Sequence, residues 1–180
     1  MGTFKKPKSV KLFTALLCNH ESLFPLVEGE LKALFGSIDR SSAIHRWTVS
    51  SYYEKEMGPG LLRRFVSFDP LIDPGRLPEI KAMAQDVEAI YQWVEGEKRG
   101  RRVNIDPGYI EASKVVLAST KNASHRIYLR SGIFGEATLT FYNGLFQPCA
   151  YTYPDYRWPE TLAFFSDLRM LYLRQLKQSG

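Results

Sequence analysis

The chain has 180 residues, 44% apolar and 13% aromatic, with 24 Lys and Arg against 19 Asp and Glu. That composition excludes a disordered tail and a membrane span, and the length suits one α+β domain with subdomains at about 9–105 and 106–180. Of the +5 net charge, residues 1–11 hold +4 and residues 97–102 hold +3, which leaves −4 over 12–96 and +2 over 103–180, so the excess is a basic arm and a basic link.

Val10 to Cys18 is a short apolar run, predicted as an interior strand that ends at Asn19-His20-Glu21. Lysines ahead of it imitate a secretion signal. The run is too short, no small-x-small cleavage site follows, and Leu17 stands where a lipoprotein signal wants a small residue. Cys18 and Cys149 sit in apolar settings and make no disulfide framework, so the expected location is cytoplasmic.

From Ser22 to Leu34 the spacing of Phe24, Val27, Leu31 and Leu34, with Gly36 beyond as a stop, predicts a helix. Ala43 to Tyr53 and Leu61 to Phe68 read as antiparallel strands joined by a long turn through Met57-Gly58-Pro59-Gly60. Pro78 suits a first helical turn, and Ile80, Met83, Val87, Ile90 and Val94 carry that helix to Val94. A short strand at Arg102 to Ile105 completes β-α-β-β-α-β, the ferredoxin-like order. Strands at Lys114 to Ser119, Arg126 to Arg130, Phe134 to Tyr142 and Phe146 to Tyr151 make an antiparallel β-rich second half, and Pro159 to Lys177 closes as an amphipathic helix.

One register is arguable. Ile127 and Leu129 share an apolar face with Ala137, Leu139 and Phe141 if Arg130 opposes Phe134 across a Ser131-Gly132-Ile133 loop. The other face then carries Arg126, Tyr128, Arg130, Glu136, Thr138 and Thr140, either as a solvated surface or as the floor of a cleft.

Three segments are rich in chemistry. Asn104-Ile-Asp106-Pro-Gly-Tyr109 reads as a strand end running into a Pro-Gly turn that presents an amide and a carboxylate. Ser119 to Arg126 supplies hydroxyls, Asn122, Lys121, His125 and Arg126, a set able to bind phosphate or carboxylate oxygens or simply to face solvent. Thr152-Tyr153-Pro154-Asp155-Tyr156-Arg157 brackets a carboxylate with aromatic rings just before the last helix, for stacking on a ligand or for packing.

Absent motifs narrow the field. No G-x-x-x-x-G-K-[ST], G-x-G-x-x-G, C-x-x-C, H-E-x-x-H or G-x-S-x-G string occurs, so phosphate-loop, Rossmann, zinc and serine-hydrolase readings lack their defining residues. No metal site is expected, although a mixed carboxylate set from Asp106, Glu136 or Asp155 stays open. His45-Arg-Trp and His125-Arg-Ile are spaced like the pair of the two-histidine phosphoesterases, but Trp47 and Ile127 replace the required hydroxyls. Arg63-Arg-Phe-Val-Ser-Phe68 only loosely echoes an RNA-recognition strand, and the negative charge of that half argues against a phosphate-binding face.

Taken together, Glu56-Met-Gly58, Val103 to Tyr109, Lys114 to Asn122 running into His125-Arg-Ile-Tyr128, and Thr152-Tyr-Pro-Asp-Tyr156 resemble the prokaryotic family called domain of unknown function 4416. The resemblance covers nearly the whole chain and implies a prokaryotic source. It implies no reaction and names no catalytic residue.

The expected function is binding of a small anionic ligand, nucleotide-like or phosphorylated, in a cleft. Asp106, His125 and Asp155 are the candidates for acid or base chemistry. Asn104, Tyr109, Lys121, Asn122, Arg126, Tyr128, Glu136, Tyr153 and Tyr156 are the candidates for binding. The alternative is a non-catalytic module that binds RNA or protein through the basic arm and aromatic surface. Cofactor and oligomeric state stay open.

Overall fold

The computed structural model describes residues 2–178. Strand β1 (Val10–Cys18) is buried at all nine positions. It lies between β4 (Leu62–Ile72) and β7 (Val103–Ile110), antiparallel to both. Alternation sends its side chains to two cores. Val10, Leu12, Leu16 and Cys18 face helices α1 (Leu23–Phe35) and α3 (Leu77–Ile90), while Phe13 and Ala15 face helix α4 (Pro159–Gln178). On the α4 side Phe13, Phe65 and Phe165 are fully buried, each stabilising the fold by about 1.5–3 kcal/mol. The sheet runs in the order β11-β10-β8-β7-β1-β4-β2, where β2 is Ile38–Ser41, β8 Lys114–Ser119, β10 Ile133–Tyr142 and β11 Leu145–Pro148. Strands β3 (His45–Arg46) and β9 (Ile127–Arg130) flank β4 and β10.

Several sequence expectations change. The strand expected over Ala43 to Tyr53 is confined to β3, and the chain then leaves the sheet to end in the short helix α2 (Glu54–Met57). Trp47, Met57 and Leu61 form a separate core with Leu17, and that pull outweighs the β-propensity of the segment. Helix α3 stops at Ile90. Val94, expected on its apolar stripe, is 72% exposed in a hairpin of β5 (Gln92–Glu95) and β6 (Lys98–Arg101). Lys11, counted with the basic arm, is a core residue: it is fully buried, paired with Asp39 and donating to the Phe68 carbonyl at 2.8 Å.

Asp106-Pro107-Gly108 is not a turn. The tripeptide lies inside β7, with Pro107 opposite Thr14 and Gly108 opposite Phe13. A Cβ on Gly108 would stand 2.4 Å from the Val116 carbonyl and 2.6 Å from the Phe13 ring, so glycine here permits two neighbours to close on the strand. The β9–β10 register also differs. Arg130 opposes Ile133 across Ser131 and Gly132, both at positive φ, and a bulge then sets Tyr128 opposite Phe134. Ile127 and Leu129 are exposed rather than buried, whereas Glu136 and Thr138 are buried.

Candidate functional site

A cleft opens where the sheet splits. Strands β7 and β8 pair only from Gly108–Leu117 to Ile110–Val115, so the ladder ends before Asp106 meets Ser119. Asn104 and Asp106 line the gap from one side, and Ser119, Thr120 and Lys121 from the other. The loop after β3, the start of β4 and the turn before α4 complete the walls. Two adjoining cavities result. One, of about 270 Å³, is walled by Trp47, Val49, Tyr52, Tyr53, Leu117, Tyr153 and Tyr156 and holds Arg63, Asp106, Lys121 and Asp155. The other, of about 90 Å³, is polar, with Lys81, Glu88, Arg101 and Asn104. Tyr53, Asp106 and Lys121 line both. Together they reach the lower end of the roughly 300–1,000 Å³ usual for small-molecule sites.

Asp106 marks the junction. Lys81 Nζ donates to its Oδ1 at 3.1 Å and Asn104 Nδ2 to its Oδ2 at 2.7 Å. Arg101 donates to Asn104 Oδ1 at 2.7 Å, and this fixes which way the amide points. The same guanidinium grips both oxygens of Glu56 at 2.8 Å, a bidentate contact that ties α2 to β6. Lys81 also donates to the Ile105 carbonyl at 2.8 Å. Burial acts to raise the Asp106 carboxyl, but the charges of Lys81 and Arg63 and the hydrogen bonds from Lys81 and Asn104 outweigh it. The group titrates below its ordinary value and is ionised at neutral pH.

Arg63 and Asp155 are the buried charges of the aromatic cavity, with side chains 4% and 1% exposed and facing atoms 3.1 Å apart. The contact is ionic and lacks hydrogen-bond alignment: Arg63 Nε and Nη1 and both Asp155 oxygens are buried without an aligned partner. Burial raises the Asp155 carboxyl and Arg63 opposes that rise. The guanidinium lies 4.8 Å from the Trp47 ring centroid, a cation–π contact. Burial, followed by the nearby Asp155 charge, pushes the Tyr156 hydroxyl well above its usual range. At the rim, Lys121 is exposed, 5.0 Å over the Tyr52 ring.

A third cluster stands beside the cleft. Arg126 Nε donates to Glu136 Oε2 at 2.7 Å, and His125 Nε2 lies 3.1 Å from the same oxygen. The His125 ring stacks on Tyr151 at 4.2 Å. Arg126 also donates to the Tyr153 hydroxyl at 2.7 Å and to the Lys121 carbonyl at 2.8 Å, so this cluster holds two parts of the cavity wall in place.

Among the sequence candidates, Asp106, Lys121, Tyr153, Asp155 and Tyr156 line the aromatic cavity and Asn104 the polar one. His125, Arg126 and Glu136 adjoin it. Tyr109 packs on the opposite core with Leu77, Val116 and Ile133, Asn122 is an exposed loop residue outside the lining, and Tyr128 packs against Phe134 at the sheet edge. Arg63, Lys81, Arg101, Glu56 and the Trp47 to Tyr53 wall were not anticipated. Two signals existed: Arg63 occupies the inward register of Phe65, and Lys81 sits in the apolar stripe of Leu77, Ile80 and Ala84.

Among the described residues no group of three or more His, Cys, Asp or Glu is placed to hold a metal ion, and no helix is long and apolar enough to cross a membrane. Residues 8–172 match the family Domain of unknown function (DUF4416), and the chain belongs to that family. No curated protein and no solved structure matches it.

Proposed function

We propose that this member of the DUF4416 family binds a small anionic ligand of nucleotide type, a flat ring joined to a phosphorylated sugar, in the two-part cleft. The observation that carries the reading is one cavity that combines aromatic walls with a buried guanidinium and a lysine at its rim. Tyr52 and Tyr153 are the exposed rings of the wall, with Trp47 and Tyr53 behind them, and stacking of a base on such a face is worth about 1–3 kcal/mol. Lys121 is exposed at the junction and meets the phosphate, while inside the cavity Asp155 offsets the charge of Arg63. A purely apolar ligand would strand Arg63 and Asp106, and an inorganic anion would leave the aromatic walls unused.

In this assignment Asp106 is the group that accepts a hydroxyl or takes a proton, because it is ionised and its side chain is 31% exposed. Asp155 braces Arg63. His125, Glu136 and Arg126 position Tyr153 and the Lys121 segment. We read the first half as a ferredoxin-like unit, a reading supported by the strand order β7-β1-β4-β2 and by α1 and α3 sharing one core. Free Cys18 and Cys149 support a reducing, cytoplasmic setting.

A thermal-shift screen over nucleotides, phosphosugars and divalent ions tests the proposal. A rise in melting temperature that disappears in Lys121→Ala supports it, and no shift with any anion overturns it. Salt-dependent RNA binding that is lost when residues 2–8 are removed would favour the alternative, a module binding through the exposed Lys5, Lys6 and Lys8.

A further inference from the structure

We infer that Asp106 reads the sugar hydroxyls of the ligand, so that the cleft selects ribonucleotides over deoxyribonucleotides; the inference rests on the nucleotide reading above. Asp106 lines both cavities, and in a ligand whose ring lies in the aromatic one and whose phosphate meets Lys121, the sugar crosses that junction. An ionised carboxylate repels phosphate and accepts from hydroxyl and N–H donors, and at the junction between the ring and the phosphate the donors within its reach are those of the sugar.

The acceptor geometry agrees. Each carboxylate oxygen receives one fixed donor, Lys81 on Oδ1 and Asn104 on Oδ2. An ionised carboxylate has about four acceptor positions, so each oxygen keeps one for the cleft, and two adjacent hydroxyls match two adjacent oxygens. The group is held from both sides, by Lys81 anchored on the Ile105 carbonyl and by Asn104 oriented through Arg101 and Glu56. A carboxylate this firmly oriented yet 31% exposed has the character of a binding group with its supports already in place. The same arrangement between cofactor sugars and acidic side chains is a general solution for recognising a ribose.

Titration calorimetry on the full chain tests this with the four common nucleoside 5′-monophosphates, each in its ribo and 2′-deoxy form, and with ribose 5-phosphate. For the base bound most tightly, the ribo form is expected to bind about 10- to 100-fold more tightly than the deoxy form, the factor for a hydrogen bond to a charged group. Asp106→Asn keeps the side-chain shape, and the ribo-to-deoxy ratio is expected to collapse toward one. A purely structural Asp106 would lower the melting temperature and leave that ratio unchanged. Equal binding of ribo and deoxy forms by the unaltered protein overturns the inference and leaves the nucleotide reading standing. Binding of ribose 5-phosphate as tightly as any nucleotide overturns the ring assignment and supports the hydroxyl contact. No binding by any of the nine compounds overturns both.

Discussion

Replacing Asp155 by asparagine removes the counter-charge of Arg63 without opening a cavity. The two side chains are 4% and 1% exposed, so the guanidinium loses a partner in a place where little water replaces it. Removing one member of a buried pair typically costs about 3–5 kcal/mol. With an m-value of about 2 kcal/mol/M, the urea midpoint should fall by about 1.5–2.5 M. That cost is a fifth or more of the 5–15 kcal/mol by which a typical domain is stable. The double variant Arg63→Met with Asp155→Leu removes both charges and keeps apolar contact with Trp47 and Phe65, so it should recover most of the loss. Equilibrium urea unfolding followed by circular dichroism measures all three proteins. A cost below about 1 kcal/mol for Asp155→Asn, with a double variant no better than the single, would mean that water in the cleft already solvates Arg63 and that the pair is no buried bridge.

Gly108→Ala should destabilise by about 1–3 kcal/mol, because its Cβ would meet the Val116 carbonyl at 2.4 Å; a neutral effect in the same urea assay would show that β7 and β8 are free to separate. The depressed carboxyl of Asp106 stabilises the fold fully above its ordinary pKa, about 3.9, and that contribution is lost as pH falls from there through the lower folded value. Asp106→Asn should therefore flatten the acid limb of stability against pH below about pH 5, and an unchanged limb would show that Lys81 and Asn104 do not hold the charge. Cys18 is fully buried, with burial pushing its thiol up to about 12, whereas Cys149 is partly exposed. A thiol reagent at neutral pH should label Cys149 alone in the folded protein and both after unfolding; fast labelling of Cys18 would contradict the burial of β1.

Much of the fold was legible because it follows local pattern. The run Val10 to Cys18 and the stripe Phe24, Val27, Leu31 each settle an element without help from the rest of the chain. The α3 stripe misled at its end: Val94 keeps the helical spacing, but Trp93 pairs with Gly100 in a hairpin and donates to the Glu56 carbonyl at 3.0 Å, a tertiary tie that periodicity does not register. The β9–β10 register failed for a similar reason. Apolar matching placed Ile127 and Leu129 inside, whereas the two-residue turn at Ser131-Gly132 and the bulge after it decided the pairing.

The site shows the same division. Asp106, Lys121, Asp155 and Tyr153 stood out as polar or aromatic residues in chemically dense segments. Arg63 and Lys81 were hidden because each lies in an apolar pattern and gains its role only when β4 and α3 bring it to the cleft. Arg101 counts toward the basic link, yet its guanidinium is engaged by Glu56 and Asn104. Charge counted along the chain does not distinguish a free cation from one already engaged.

The central claim is that a ring-bearing anion occupies the aromatic cavity, and Trp47 in its wall is a built-in reporter. Titrating nucleoside monophosphates against the protein while following tryptophan fluorescence tests it most directly, with Trp47→Phe as the control for signal and Lys121→Ala for the phosphate contact. The account predicts a saturable one-to-one change for at least one nucleotide, diminished in Trp47→Phe and shifted to weaker affinity in Lys121→Ala. No change with any nucleotide at millimolar concentration, or a change undiminished in Trp47→Phe, would contradict it.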